Sequence, residues 1–412
     1  MTYEWNHSTI NDVCVLVTDG SHSSPKSVND GKYMVSVKDF TDYGFDFASC
    51  RMISNDDYET LKRNGCVPQI DDILIGKDGA RFFEDIIIYR QREKPALLSS
   101  IAILRCDKSK ILPDFLYYVL RTPSFRQDVK DNYGSGSAIP RIILKDFKRM
   151  MVSYPSLEKQ QAIISVLTAI DSKIQANTEI NDNLQQQLTA IYKSWYQDFS
   201  LVNDTELVET AYGTIPKGWH YVLLGDLCQS ISVTHKFDKN ALIFLNTGDV
   251  EDGRFLHSNL MAVKEMPGQA KKTIAPGDIL YSEIRPINRH FAYVNFPSDN
   301  YVVSTKLMVI RAKNFDTRRL YHYLTSENVL NELQLQAESR SGTFPQIRFE
   351  NVSKLPILIA DEQTESEFVK ILHTVFDQIE QLNRENKQLS ELRDTLLPKL
   401  MSGEIDVSDI QL

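Results

Sequence analysis

The chain has 412 residues, 42% of them hydrophobic and 25% charged, with a formal net charge of −9. Its length fits roughly two to three domains of about 100–200 residues, its composition is that of a soluble globular protein, and no apolar run nears the roughly 18 residues that a membrane span needs. The scattered Cys14, Cys50, Cys66, Cys106 and Cys228, with no Cys-x-x-Cys among them, argue against a disulfide framework or a structural zinc and read as small buried residues. The start Met1-Thr2-Tyr3-Glu4-Trp5 lacks the basic and apolar stretches of a signal peptide, so a cytoplasmic chain without membrane partners is expected.

Residues 1–155 form the first predicted domain. Strand-like runs occur at Ile73-Leu74-Ile75, Asp85-Ile86-Ile87-Ile88 and Ile101-Ala102-Ile103-Leu104, with a short helix over Phe115 to Leu120, so the segment reads as mixed α/β. After the first of these strands, Lys77-Asp78-Gly79-Ala80-Arg81 supplies a basic loop. Further on, Asn132-Tyr133-Gly134-Ser135-Gly136-Ser137, with Arg141 beyond it, offers small residues, hydroxyls and backbone N–H groups that let phosphates approach closely. The segment holds 21 Lys/Arg and 21 Asp/Glu, a net charge of 0.

Residues 156–202 follow as a predicted long helix. Ile163, Leu167, Ile170, Ile174, Asn177, Asn181, Leu184, Leu188, Ile191 and Trp195 recur in an unbroken 4-3-4-3 alternation, the period of a coiled-coil seam. Residues 203–360 contain a linker, with Pro216-Lys217-Gly218 marking the break, and a second predicted domain. Its signals answer the first: Gly218-Trp219 and Asp226-Leu227-Cys228 lie 214 residues after Glu4-Trp5 and Asp12-Val13-Cys14 (219 − 5 and 226 − 12). Asp278-Ile279-Leu280-Tyr281 answers Asp72-Ile73-Leu74, Leu320-Tyr321-His322 answers Leu116-Tyr117-Tyr118, and the set Gly342, Pro345 and Ile347 answers Gly136, Pro140 and Ile142. In the matching place after its strand lies Glu283-Ile284-Arg285-Pro286-Ile287-Asn288-Arg289-His290, and Ser339-Arg340-Ser341-Gly342-Thr343 matches the glycine-rich loop. Arg presents a planar fork suited to guanine edges and phosphates, and Asn suits adenine, so Lys77, Arg81, Arg285, Asn288 and Arg289 are candidate sequence readers.

Residues 361–412 repeat the helix and end in a tail. Adding 205 to each seam position gives Phe368, Leu372, Val375, Ile379, Leu382, Asn386, Leu389, Arg393, Leu396 and Leu400. An antiparallel pair centred on these midpoints would face Asn177 with Asn386 (177 + 386 = 163 + 400). Asn on a seam costs stability and serves to fix register. Each seam, from 163 to 195 and from 368 to 400, would span roughly 50 Å at 1.5 Å per residue, about one and a half turns of B-DNA. The net acidity sits in these helical segments. Residues 156–210 hold 3 basic and 8 acidic residues and 361–412 hold 5 and 12, whereas 211–360 hold 17 and 14. Net charge therefore does not exclude DNA, which needs only local positive potential.

No phosphate loop, Gly-x-Ser-x-Gly, His-Glu-x-x-His, methyltransferase Asn/Asp-Pro-Pro-aromatic run or glycine-rich S-adenosylmethionine turn occurs. The eight histidines, His22, His235, His290 and His373 among them, are dispersed without metal-ligand spacing, and Asp56-Asp57 and Asp71-Asp72 read as turn and capping residues. No catalytic machinery and no metal site are expected.

The run Ile191-Tyr192-Lys193-Ser194-Trp195-Tyr196-Gln197-Asp198-Phe199, the linker Gly213-Thr214-Ile215-Pro216-Lys217-Gly218-Trp219 and the tail Leu396-Leu397-Pro398-Lys399-Leu400-Met401-Ser402-Gly403-Glu404-Ile405 resemble specificity subunits of type I restriction-modification systems. The resemblance covers the whole chain in the order recognition domain, helix, recognition domain, helix. It implies a mixed α/β (α+β) fold, with two target-recognition domains separated by two helices in an antiparallel coiled coil and a pseudo-twofold internal repeat. It implies a non-catalytic subunit in which each domain reads half of a bipartite double-stranded DNA site and the helices set the gap. Two modification subunits would dock on the helical regions and restriction subunits through them, with S-adenosylmethionine, ATP and Mg held by those partners. The alternative class is a coiled-coil scaffold that binds two protein partners through its tandem domains.

Overall fold

The computed structural model describes residues 4–79, 81–134, 140–201, 206–340 and 345–407, with Arg340 described by its backbone alone. The chain divides into two compact units, one of residues 1–178 and 383–412 and the other of residues 179–382. They cut across the four consecutive segments expected from the sequence, because each long helix gives one half of its length to each unit.

In the first unit, β1 (Cys14–Asp19), β2 (Ile73–Gly76), β3 (Ile86–Ile88) and β4 (Ile101–Cys106) form an antiparallel sheet in the order β1-β4-β2-β3. The central strands are apolar from Ile73 to Ile75 and from Ile101 to Leu104 because both faces are covered. Ile73, Ile75, Ala102 and Leu104 alternate onto a core shared with Phe115 and Leu116 of α1 (Pro113–Arg121). Leu74, Ile101 and Ile103 face the other way, onto Val35, Phe45 and Leu97. That second layer is a sheet of Arg51–Ile53, Lys32–Val35 and Ala96–Leu97 whose last pair is parallel, beside a helix over Asn55–Arg63. Asn6–Thr9 pairs with Met151–Tyr154, which leads into α2 (Leu157–Tyr196).

The second unit repeats the plan. β5 (Cys228–Ile231), β6 (Ile279–Ser282), β7 (Phe291–Tyr293) and β8 (Leu307–Ala312) lie in the order β5-β8-β6-β7, all antiparallel. Ile279, Tyr281, Met308 and Ile310 pack with Leu320 of α3 (Thr317–Leu324), while Leu280, Leu307 and Val309 pack with Leu245 and Val303. The second layer again centres on a parallel pair, Ala241–Leu245 with Tyr301–Ser304. Here the fourth element is the strand Ala270–Lys272, where the first unit has the helix over Asn55–Arg63. His220–Leu223 pairs with Pro356–Ile359, which leads into α4 (Glu362–Ser402). The N-cap Asp361 accepts hydrogen bonds from Thr364 N at 3.1 Å and from Trp219 Nε1 at 3.1 Å, so it starts the helix and anchors Trp219.

α2 and α4 run 40 and 41 residues. Every seam residue from Ile163 to Trp195 and from Phe368 to Leu400 is buried or half-buried, as the heptad pattern requires. Within the first unit the halves run antiparallel: Arg393 Nη1 lies 2.9 Å from Asp171 Oδ1, and Asn177 Nδ2 donates to Asn386 Oδ1 at 2.9 Å. Within the second, Tyr196 Oη donates to Glu365 Oε2 at 2.6 Å and its ring meets Phe368 edge-on, 5.1 Å between centroids. Pairs such as 177 with 386 and 196 with 365 follow the near-constant sum that antiparallel pairing demands. Cys14, Cys66, Cys106 and Cys228 are buried and Cys50 is half-buried, all as free thiols. Among the described residues no helix is long and apolar enough to cross a membrane, and no cluster of His, Cys, Asp and Glu could hold a metal.

Candidate nucleic-acid interface

Each unit builds the same junction from three pieces of chain, beginning with a buried carboxylate. Asp72, at 0% exposure, accepts a bidentate fork from Arg105, Nε to Oδ1 at 2.8 Å and Nη2 to Oδ2 at 2.8 Å, and also accepts from Gln69 N at 2.7 Å. Asp278, also at 0% exposure, accepts the same fork from Arg311 at 2.6 and 2.8 Å and from Ala275 N at 2.7 Å. A carboxylate this buried is tolerated because every oxygen is paired. The fork locks the turn ahead of β2 or β6 onto the neighbouring strand, and thereby fixes where the following loop emerges. The sequence carries the signal, since Asp72 and Arg105 recur 206 residues on as Asp278 and Arg311 (278 − 72 and 311 − 105). Of the pair Asp71-Asp72, Asp72 caps the turn through Gln69 N, whereas the Asp71 carboxylate pairs with Arg90 and Lys108.

The loop after the strand then binds the segment that follows the glycine-rich stretch. In the first unit Lys77 N donates to Ser100 O at 2.9 Å, Ile142 N to Lys77 O at 3.0 Å and Gly79 N to Pro140 O at 3.0 Å. In the second, Glu283 N donates to Lys306 O at 3.0 Å, Ile347 N to Glu283 O at 2.8 Å and Arg285 N to Pro345 O at 3.2 Å. Isolated bridges pair Asp78 with Arg141 and Ile284 with Gln346. Within each unit the loop after the strand is therefore joined to the segment that follows the glycine-rich stretch. Left-handed backbone at Phe83 (φ 62°), Arg285 (φ 43°) and Arg289 (φ 57°) shows that packing holds both loops in costly conformations.

The candidate readers fare differently. Lys77 is 7% exposed, with Nζ 3.3 Å from Asp19 Oδ2 and 3.7 Å from Asp78 Oδ1, so its ammonium is paired inside the unit. Arg81 is largely exposed, 2.8 Å from Asp85 and 3.8 Å from Glu84. Arg289 pairs with Asp252 at 3.1 Å and with Glu327, and Arg141 is exposed. Arg285 and Asn288 are exposed and their side chains have no partner among the described residues, so Arg285 is, among the described candidate cations, one that a ligand would meet at little cost. Ser135, Gly136, Ser137, Ser341, Gly342, Thr343 and the side chain of Arg340 lie outside the described residues. Three groups at the second junction were not singled out from the sequence. Lys306 Nζ lies 3.8 Å from Glu283 Oε2 and donates to Gln346 Oε1 at 3.5 Å. Lys272 Nζ donates to the carbonyls of Thr305 and Leu307 at 3.0 and 2.8 Å; burial pushes its ammonium below the ordinary lysine range, Glu283 opposes this, and Lys306 adds to it. No charge pattern could have found Gln346, because it is neutral.

On the helices, Asn177 is 0% exposed, and its Nδ2 donates to Glu385 Oε2 at 2.9 Å as well as to Asn386. Arg393, the basic residue interrupting the second seam, is occupied by Asp171, whose other oxygen accepts from Tyr118 Oη at 2.7 Å, so it ties the helices to the first recognition domain.

The model for the type I restriction modification DNA specificity domain matches residues 3–186 and 216–391. The duplicated mixed α/β unit with a long helix is thus the repeat of that domain, and the chain belongs to the family of type I restriction-modification specificity subunits. The specificity subunit of the HindI type I restriction enzyme from Haemophilus influenzae is 44% identical over 183 residues, which is 43% of this chain and 39% of that protein. The MjaIX specificity subunit from Methanocaldococcus jannaschii is 24% identical over 315 residues, 74% of this chain and 71% of its own. The crystal structure of a type I S subunit from M. genitalium superposes with a TM-score of 0.54 at 16% identity, covering 97% of this chain and 96% of the other, a likeness of fold.

Proposed function

We propose that the chain is the DNA-reading subunit of a type I restriction-modification complex, each unit contacting one half of a bipartite site. The observation that carries this reading is the duplicated junction: a buried Asp–Arg fork, a strained basic loop and a pinned Pro-x-Ile segment occur in the same arrangement in both units. A scaffold for two protein partners would not require basic, forked donors at both matched places. Phosphate contacts from Arg81, Arg285 and Arg289 would position DNA, and groups held at the junction would read base edges.

The chain performs no chemistry in this account. Two modification subunits supply methyl transfer with S-adenosylmethionine and dock on the helical regions, and restriction subunits supply ATP- and Mg-dependent cleavage. α2 and α4 set the length of the unread gap, with Asn177 and Asn386 fixing their register. The test is selection of duplexes from a random pool by the full chain bound to its modification subunit. Enrichment of two short half-sites at one fixed spacing, with affinity that falls steeply with salt, is expected; an unenriched pool would contradict the reading.

A further inference from the structure

We infer that positions 141 and 346 are the matched base readers of the two units, Arg141 selecting a guanine in one half-site and Gln346 an adenine in the other. The inference rests on the DNA-reading role proposed above and assigns the residues that carry it out.

The two positions are equivalent by backbone geometry rather than by sequence type. Each is the middle residue of Pro-x-Ile, Pro140-Arg141-Ile142 and Pro345-Gln346-Ile347, and each forms the isolated bridge to the loop after β2 or β6. Each is pinned on both sides by hydrogen bonds from and to that loop, at 3.0 and 3.0 Å in the first unit and 2.8 and 3.2 Å in the second. Ile142 and Ile347 are both 0% exposed. In extended chain neighbouring side chains point to opposite sides, so the residue before each isoleucine is turned away from the core. A side chain on so constrained a backbone loses little freedom on binding, which is what a specific contact needs.

The chemistry then differs in the way a sequence reader's should. A neutral glutamine adds nothing to phosphate attraction, but its amide pairs one donor with one acceptor, the complement of adenine N7 and N6; the arginine fork complements guanine O6 and N7. Gln346 is also oriented. The Lys306 ammonium donates to its Oε1 at 3.5 Å, which sets the amide's direction and leaves Nε2 as donor and a second lone pair on Oε1 as acceptor. Lys306 is in turn held by Glu283 at 3.8 Å. Lys306 is thus a positioning residue, and Gln346 the reader.

The experiment is methylation mapping by sequencing in cells that carry the full chain together with its modification subunit. Gln346→Arg should change one adenine of the second half-site to guanine and leave the first half-site intact. Gln346→Ala should accept any base there, with discrimination lost by about 5- to 150-fold. Arg141→Gln should make the reciprocal change in the first half-site. Lys306→Met should weaken the preference at the Gln346 base without moving it to another base. Motifs unchanged in the swaps, or methylation lost at every sequence in both Gln346 variants, would overturn the assignment while leaving the DNA-reading role intact. A wild-type chain that directs methylation to no bipartite motif would instead overturn that role.

Discussion

Where α2 leaves the first recognition domain, Gln160 is fully buried and spends its amide on backbone: it accepts from Leu112 N at 2.8 Å and donates to the carbonyls of Lys110 and Pro155 at 2.9 and 3.0 Å. The matching position of α4 (160 + 205) is Glu365, and there the joint is ionic. Arg319, at 0% exposure, donates from Nε to Glu365 at 2.9 Å and from Nη2 to Leu358 O at 3.1 Å. Its guanidinium stacks over Tyr196 and Phe368 at 4.6 and 5.2 Å, while the place corresponding to Arg319 in the first unit is the buried Phe115. One architecture is therefore closed by a neutral amide in one copy and by a desolvated ion pair in the other. The repeat thus preserves the geometry of the joint and not its chemistry, and the ionic version is the more fragile, since a buried charge is costly as soon as its partner is lost.

The largest effect should come from separating that pair. Arg319→Leu leaves the half-buried Glu365 without its cation and should cost the second unit about 3 kcal/mol, the low end for a broken buried pair, read as early loss of the fluorescence of Trp195 and Trp219 in denaturant, whereas Gln160→Leu should cost the first unit about 1–3 kcal/mol. Installing the first unit's solution, Arg319→Phe with Glu365→Gln, should recover most of the loss. Equal costs in the two units would break the contrast.

The DNA-facing loops give the next effect. Arg285 has no side-chain partner among the described residues, while Arg81 and Arg289 must leave carboxylates to meet a ligand. Arg285→Ala should weaken binding by about 1.5–3 kcal/mol, uniformly across sequences, and Arg81→Ala by less, measured by titration with duplex at fixed salt; the reverse order would show that the ion pairs persist only without DNA.

A pH difference of comparable size separates the units. His322 occupies the place that Tyr118 takes in the first unit, and its buried Nε2 has no hydrogen-bond partner among the described residues. Burial first, and Arg319 second, lower its pKa from 6.5 to about 3. Between those values the unfolded histidine binds a proton and the folded one does not. The second unit therefore loses stability as the pH falls, at up to about 1.4 kcal/mol per pH unit, and keeps the full contribution above pH 6.5. His322→Tyr should flatten that slope in unfolding curves taken from pH 6.5 to 4.5. An unchanged slope would assign the acid sensitivity to other groups.

The smallest effect lies on the helices. Asn177→Leu and Asn386→Leu, alone and together, should show a coupling of about 1 kcal/mol in a double-mutant cycle, because each amide loses the other. Coupling near zero would mean that Glu385, which also accepts from Asn177, satisfies it alone.

Much of this was legible in the chain because period and repetition report on packing. The heptads, the facing Asn177 and Asn386, and the strands at Ile73 and Ile279 all follow from where apolar residues must go. What the repeat could not convey was which polar residues end up inside. Lys77 looks like a loop cation until Asp19, far away in sequence, is seen beside it, and Arg319 lies in a helix that its neighbours mark as ordinary. Gln346 is invisible to any charge count and becomes a candidate only once backbone hydrogen bonds show that it holds, in its own unit, the position that Arg141 holds in the other. The use of a helix in one second layer, Asn55–Arg63, and a strand in the other, Ala270–Lys272, was likewise set by tertiary contacts that no short window contains.

The central claim is that two matched units read DNA while the helices set the gap between the bases they read. Its most direct test is to insert one heptad into both α2 and α4 and to map the methylated motif in cells that carry the modification subunit. Seven residues add roughly 10 Å, so the account predicts the same two half-sites with the unread spacer longer by about 3 base pairs. A motif whose spacer keeps its original length would contradict it.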